Sequence, residues 1–90
     1  MIVLFIAANI VAWLLPIEIV YKFVLSISLF IPLLAELANS AIERVVDLVT
    51  KEYHILAKQA KDAGAALVFV SLLTLAAIWI CTLALAFSLV

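Results

Sequence analysis

Five polar residues share one face of a helix in the middle of an otherwise apolar chain: Glu36, Asn39, Ser40, Glu43 and Asp47. At about 100° per residue they fall within an arc of roughly 100°. Carboxylates beside apolar sequence are costly to bury and usually mark chemistry or transport. Three carboxylates and an amide are oxygen donors, which suit a hard cation such as Mg²⁺.

The alternative is a solvated helix end with ordinary mixed charges. Arg44 and Lys51 support it, because Lys51 can pair with Asp47. Glu36 argues against it, since its neighbours Leu33, Leu34, Ala35 and Leu37 are apolar and solvate a carboxylate poorly. The pattern therefore favours a functional face that begins where an apolar helix leaves a membrane.

Composition places the face in a membrane protein. The chain has 90 residues, of which 71% are hydrophobic, and a mean hydropathy of +1.47. A spanning helix needs about 20 apolar residues. We predict an all-α, polytopic membrane protein with three transmembrane helices in a single domain, residues 1–90, with helices at about 2–15, 17–49 and 62–88. A net charge of −1 without a basic patch argues against nucleic acid.

Two prolines and Asp62 determine the expected helix boundaries. Leu15 should close the first helix, because a residue before proline avoids the helical region. Pro32 should kink the second helix, because it cannot donate a hydrogen bond to the Ser28 carbonyl. Asp62 is the predicted N-cap of the third helix. The small-residue run around Gly64 would let other copies of the chain approach closely.

Loop charge predicts the orientation. Arg44 and the lysines at 51, 58 and 61 surround the second connection, which the positive-inside rule places in the cytoplasm. The start of the chain is then inside and Val90 outside. The aromatic residues Trp13, Tyr21 and Trp79 fall near the outer interface.

The polar segments resemble one family closely. The runs E36-L-A-N39-S40-A-I-E43-R-V-V-D47, E52-Y53-H54 and A60-K61-D62-A-G64-A-A-L are similar to those of prokaryotic diacylglycerol kinases, which are small three-helix membrane enzymes. The last run looks more like the diacylglycerol-specific branch than the undecaprenol-kinase branch. The resemblance implies ATP-dependent phosphorylation of diacylglycerol to phosphatidate, with Mg²⁺, on the cytoplasmic side of a bacterial inner membrane. It also implies a homotrimer whose active sites are shared between subunits.

The resemblance also implies roles for individual residues. Glu36 matches the catalytic base that takes the proton from the lipid hydroxyl, and Glu43 matches a Mg²⁺ ligand that brings in ATP. Asn39 and Asp47 match supporting polar positions. The matches to nucleotide contacts are Glu43, Glu52, Tyr53, His54, Lys61 and Asp62. Together with Glu36, the outer-end residues Lys22 and Trp79 match positions near the lipid substrate.

The resemblance has one gap. Family members usually begin with an amphipathic surface helix, which this sequence lacks, so we expect the chain to be a fragment whose first spanning helix is cut. Undecaprenol kinase and an inactive, truncated membrane subunit are the alternatives. A small multidrug transporter would need its carboxylate near the membrane midplane. Glu36 instead follows about 28 Å of helix from Ile17, at about 1.5 Å per residue.

Overall fold

The computed structural model describes residues 1–87, which fold into four helices and contain no strand. They are α1 (Ile2–Leu14), α2 (Ile19–Ser28), α3 (Phe30–Val49) and α4 (Ile55–Ala86). The prediction of an all-α fold is confirmed. The predicted helix end at residue 88 lies outside the described residues.

The first helix ends where proline predicts. Leu15 follows α1 with φ −69° and ψ 142°, an extended conformation, as its position before Pro16 requires. Lys22 Nζ donates to the Trp13 carbonyl oxygen at 3.2 Å. This bond satisfies one of the carbonyls that the last turn of a helix leaves without a backbone partner.

The second predicted helix is divided in two at Leu29. The interruption is a single residue that keeps right-handed helical angles, φ −67° and ψ −16°, and it lies three positions before Pro32. Proline lacks an N–H and its ring crowds the carbonyl four residues back, which is that of Ser28. The helix is therefore interrupted where proline is expected to disturb it, while a bend of the helix axis stays a prediction.

The third predicted helix begins earlier than expected. α4 starts at Ile55, seven residues before Asp62, and its N-cap is His54, whose Nδ1 accepts from the Leu56 amide at 3.1 Å. The prediction that Asp62 caps this helix is wrong. The segment after His54 consists mainly of strong helix formers, so the helix begins before the apolar stretch. Hydropathy did not predict this first part because it contains charged residues.

The helices pack along a narrow seam. α3 and α4 make the most extensive contact, while α2 packs on α4 and α1 on α2. Small and polar residues of α4 are buried there: Gly64, Ser71 and Thr82. Most large apolar side chains are exposed. The stretches Ile19–Val49 and Ile55–Ala86 are long and apolar enough to cross a membrane, whereas α1 is shorter. Two spans are thus consistent with a membrane protein, and the third stays a prediction.

Candidate functional site

A polar pocket lies between the end of α3 and the start of α4. Its volume is about 400 Å³. It collects five of the six residues that we predicted to contact a nucleotide: Glu52, Tyr53, His54, Lys61 and Asp62. Thr50, Lys51 and Lys58 complete its polar lining. None of these three was predicted as a nucleotide contact, although their position in or beside the basic connection was a usable signal.

Local hydrogen bonds give the pocket its shape. Thr50 ends α3 in an extended conformation, φ −158° and ψ 141°, and its Oγ1 accepts from the Glu52 amide at 3.1 Å. His54 then caps α4 through Nδ1. This histidine is therefore a helix cap as well as a pocket residue, and not simply a loop residue.

Two ion pairs border the pocket. Lys61 Nζ lies 2.7 Å from Asp47 Oδ1 and joins α4 to α3, while Lys58 Nζ lies 2.8 Å from Asp62 Oδ2 within α4. Asp47 thus pairs with Lys61 and not with Lys51, the partner that the alternative of a solvated helix end had offered. The paired side chains remain substantially exposed, so each pair adds little stability. Their main effect is to place both signs of charge beside the opening.

Glu36 lies outside this pocket. It is half-buried and lines a separate surface depression of about 410 Å³ with Leu33 and Leu37 of α3 and residues 1–3 at the start of the chain. Apart from Glu36, this lining is apolar. Glu43 is exposed and lies seven residues further along α3, a rise of about 10 Å. The carboxylates of the predicted face are therefore spread along the helix and are not gathered in one cluster.

The side-chain oxygen of Asn39 lies in the packing of α3 against α4. This Oδ1 atom is buried without a hydrogen-bond partner among residues 1–87 and lies directly against Gly64 of α4. Leaving such an oxygen unpaired costs about 1–3 kcal/mol. Gly64, which we expected to serve contacts with other copies, is therefore used within the chain.

The oxygen donors along α3 determine whether this face could bind Mg²⁺. Residues 1–87 hold no group of three or more His, Cys, Asp or Glu side chains arranged to bind a metal. Mg²⁺, however, is usually held by one or two carboxylates, substrate phosphates and water. The exposed Glu43 carboxylate fits such a partial set, whereas the buried Asn39 oxygen does not.

Lys22 and Trp79 use their polar atoms within the protein. Lys22 binds the Trp13 carbonyl. Trp79 Nε1 donates to Ser28 Oγ at 3.1 Å, next to the interruption at Leu29. Their predicted contact with lipid stays a prediction, and it would use their apolar parts.

Comparison with known proteins gives a consistent family. The family described as prokaryotic diacylglycerol kinase matches residues 1–83. The diacylglycerol kinase of Escherichia coli K12 is 35% identical over 72 residues, covering 80% of this chain and 59% of the relative. That of Pseudomonas aeruginosa PAO1 is 51% identical over 47 residues, 52% of this chain and 38% of the relative. That of Haemophilus influenzae is 42% identical over 52 residues, which cover 58% of this chain and 44% of the relative. The chain thus spans about 59% of the length of its E. coli relative.

Proposed function

Because the chain belongs to the prokaryotic diacylglycerol kinase family, we propose that it transfers the terminal phosphate of ATP to the free hydroxyl of diacylglycerol and so makes phosphatidate. One structural observation carries the proposal beyond the family match. An apolar depression with one carboxylate and a charged pocket both border α3, one near its middle and one at its end. These two environments suit the two substrates, a lipid and a nucleotide.

The order of residues along α3 supports this arrangement. Glu36 is in the apolar depression, Glu43 follows after about 10 Å, and Thr50 at the polar pocket follows after about another 10 Å. A nucleotide in the pocket would extend its phosphates along α3 past Glu43. The lipid hydroxyl would approach from the depression, where acyl chains can stay in apolar surroundings.

Glu36 is the proposed general base. As the hydroxyl oxygen bonds to the terminal phosphorus, the bond from that phosphorus to the bridging oxygen breaks and ADP leaves. The hydroxyl proton goes to the Glu36 carboxylate, which a positioned base accomplishes in the transition state. The neighbouring Leu33 and Leu37 would limit water at this point, so that the lipid hydroxyl is favoured over hydrolysis.

The polar pocket is the proposed nucleotide site. Lys61 offers a point charge for phosphate, and the rings of Tyr53 and His54 offer stacking surfaces for a base. Glu43 would hold Mg²⁺, which when bound neutralises charge on the phosphates. Asp47 would keep Lys61 in place through the ion pair between α3 and α4.

The cellular setting is proposed with the activity. The basic connection would face the cytoplasm of a bacterial inner membrane, with α1 as a third spanning helix and the C-terminus outside. Assembly into a homotrimer with shared active sites would cover the apolar surfaces that the single chain exposes.

A lipid-dependent phosphotransfer assay tests the proposal. The purified chain is placed in mixed micelles with radiolabelled ATP and Mg²⁺, with diacylglycerol, undecaprenol or no added lipid. Label in phosphatidate is the expected result. Label in undecaprenyl phosphate alone would assign the chain to the other substrate, and label in neither lipid would favour an inactive membrane subunit.

A further inference from the structure

The only glycine of the chain lies where α4 packs against α3, and Asn39 fills the space beside it. Gly64 is buried. A methyl group at this position would overlap Asn39 Oδ1, would lie 3.3 Å from Asn39 Cγ and would lie 3.6 Å from Ile42 Cδ1. Among these neighbours the Asn39 amide is therefore the group that requires a residue without a side chain at position 64.

This packing determines which end of the Asn39 amide is available for chemistry. The oxygen is buried and has no hydrogen-bond partner among residues 1–87. The amide nitrogen, in contrast, is not both buried and unpartnered. An amide nitrogen provides two N–H donors. Asn39 lies three residues after Glu36 and four before Glu43, positions that are neighbours on a helix surface. Carboxylates on both sides are natural acceptors for these donors.

We propose that Gly64 is a positioning residue for the phosphotransfer site. It admits the Asn39 oxygen into the α3–α4 interface and thereby directs the Asn39 N–H donors toward the carboxylate face. The proposal rests on the proposed function for its catalytic consequence. It gives Asn39 the role of a donor and not of a cation ligand, because packing against Gly64 occupies the oxygen.

The substitution Gly64→Ala separates this role from a purely structural one. Alanine is a better helix former than glycine, so local helix stability alone predicts a variant that is at least as stable. The atom that blocks the methyl group is the end of a flexible side chain, so the amide should move while the helices stay in place. We therefore expect an unchanged or raised Tm together with a loss of turnover.

The movement of the amide can be observed directly. The chain has two asparagines, Asn9 and Asn39, and Asn9 Nδ2 donates to the Phe5 carbonyl at 3.1 Å, away from Gly64. In protein labelled with ¹⁵N-asparagine in micelles, Gly64→Ala should shift the side-chain NH₂ signals of Asn39 and leave those of Asn9 in place. Ala66→Ser, which adds one atom at an exposed position of α4, is the matched control and should shift neither pair.

A double-mutant cycle on turnover tests whether Gly64 acts through Asn39. Gly64→Ala should lower kcat at least about tenfold, since a misplacement of about 1 Å at a site can cost a hundredfold. In the Asn39→Ala background the same substitution should cause no further loss, because the group that it displaces is absent. Wild-type kcat with unmoved Asn39 signals, or a further tenfold loss in the Asn39→Ala background, would overturn the proposal.

Misfolding of Gly64→Ala and an inactive wild-type chain are the two remaining outcomes. If Gly64→Ala does not fold, folding of the double variant would support the contact with Asn39, and misfolding of both would refute it. If the wild-type chain shows no lipid kinase activity, the proposed function fails by itself. The NMR signals and Tm values would then still decide whether Gly64 sets the orientation of Asn39.

Discussion

Glu36 is the residue at which the proposed chemistry is most open to test. It is half-buried among apolar residues, and no other acidic residue lines that depression. Glu36→Gln keeps the shape and removes the proton acceptor. We expect kcat to fall by about 10²–10⁴, the usual contribution of a general base, with little change in the KM for ATP.

The control for this substitution is Glu18→Gln. Glu18 is exposed and precedes α2, outside both the depression and the pocket, so its change should leave kcat near the wild-type value. Turnover of Glu36→Gln at a near wild-type rate would show that the base is elsewhere.

Glu43 permits a separate prediction about the metal. It is exposed and lies between the two environments along α3. Glu43→Ala should raise the Mg²⁺ concentration needed for half-maximal rate and raise the KM for ATP together, because one cation bridges carboxylate and phosphate. Titration of the rate with Mg²⁺ at several ATP concentrations measures both. Unchanged values would leave Glu43 as a solvated surface charge.

The polar face of α3 was only partly predictable from the sequence. Helical spacing correctly indicated that Glu36, Asn39 and Asp47 share one broad face. It could not show that Asn39 and Asp47 lie at the edge next to α4, where they meet Gly64 and Lys61. Those contacts depend on the rotation of α4 about its axis, which the periodicity of α3 does not contain.

The start of α4 links folding to the proposed nucleotide site. His54 both caps the helix and lines the pocket. His54→Asn keeps a good N-cap and removes the ring, whereas His54→Ala removes both. We expect only the alanine variant to lose stability, by about 0.5–2 kcal/mol, and both variants to raise the KM for ATP.

Thermal unfolding in detergent and ATP titration measure these two effects separately. A wild-type KM for ATP in His54→Asn would show that the histidine serves only the fold. Equal Tm values for the asparagine and alanine variants would show that the cap contributes no stability.

Helix boundaries were predictable where a backbone rule applies and less so where hydropathy was the guide. The helix end at Leu15 and the interruption before Pro32 both follow from proline geometry, and the structure has both. The predicted start of α4 was wrong because a membrane criterion detects the apolar part of a helix, while residues 55–62 are helical and include three charged side chains. Caps such as His54 depend on a side-chain rotamer that single-residue preferences describe weakly.

The described chain is a thin slab of 52 × 24 × 14 Å. Its longest dimension exceeds the roughly 30 Å hydrocarbon core of a membrane, which leaves room for the polar pocket beyond the apolar region. A slab 14 Å thick encloses little, and large side chains such as Leu37 and Leu48 are 68% and 86% exposed. The depression and the pocket are accordingly open, and neighbouring copies are the proposed means of completing them.

A subunit-mixing experiment tests whether the site is shared between copies. Glu36→Gln and Lys61→Met remove residues from the depression and from the pocket, so each variant alone should be nearly inactive. Suppose that each site takes Glu36 from one subunit and Lys61 from the next around a ring. Equal mixing before reconstitution should then restore about a quarter of the wild-type rate, because that fraction of sites draws both intact residues.

The two variants reconstituted separately and then combined as vesicles provide the control, since their subunits cannot exchange. If one chain supplies both residues, every mixed assembly contains only damaged sites and the rate should stay at the level of the single variants. Such a result would place Glu36 and the pocket of the same chain in one site. The phosphates would then have to span α3 from Thr50 to Glu36 within a single subunit, a rise of about 21 Å at about 1.5 Å per residue.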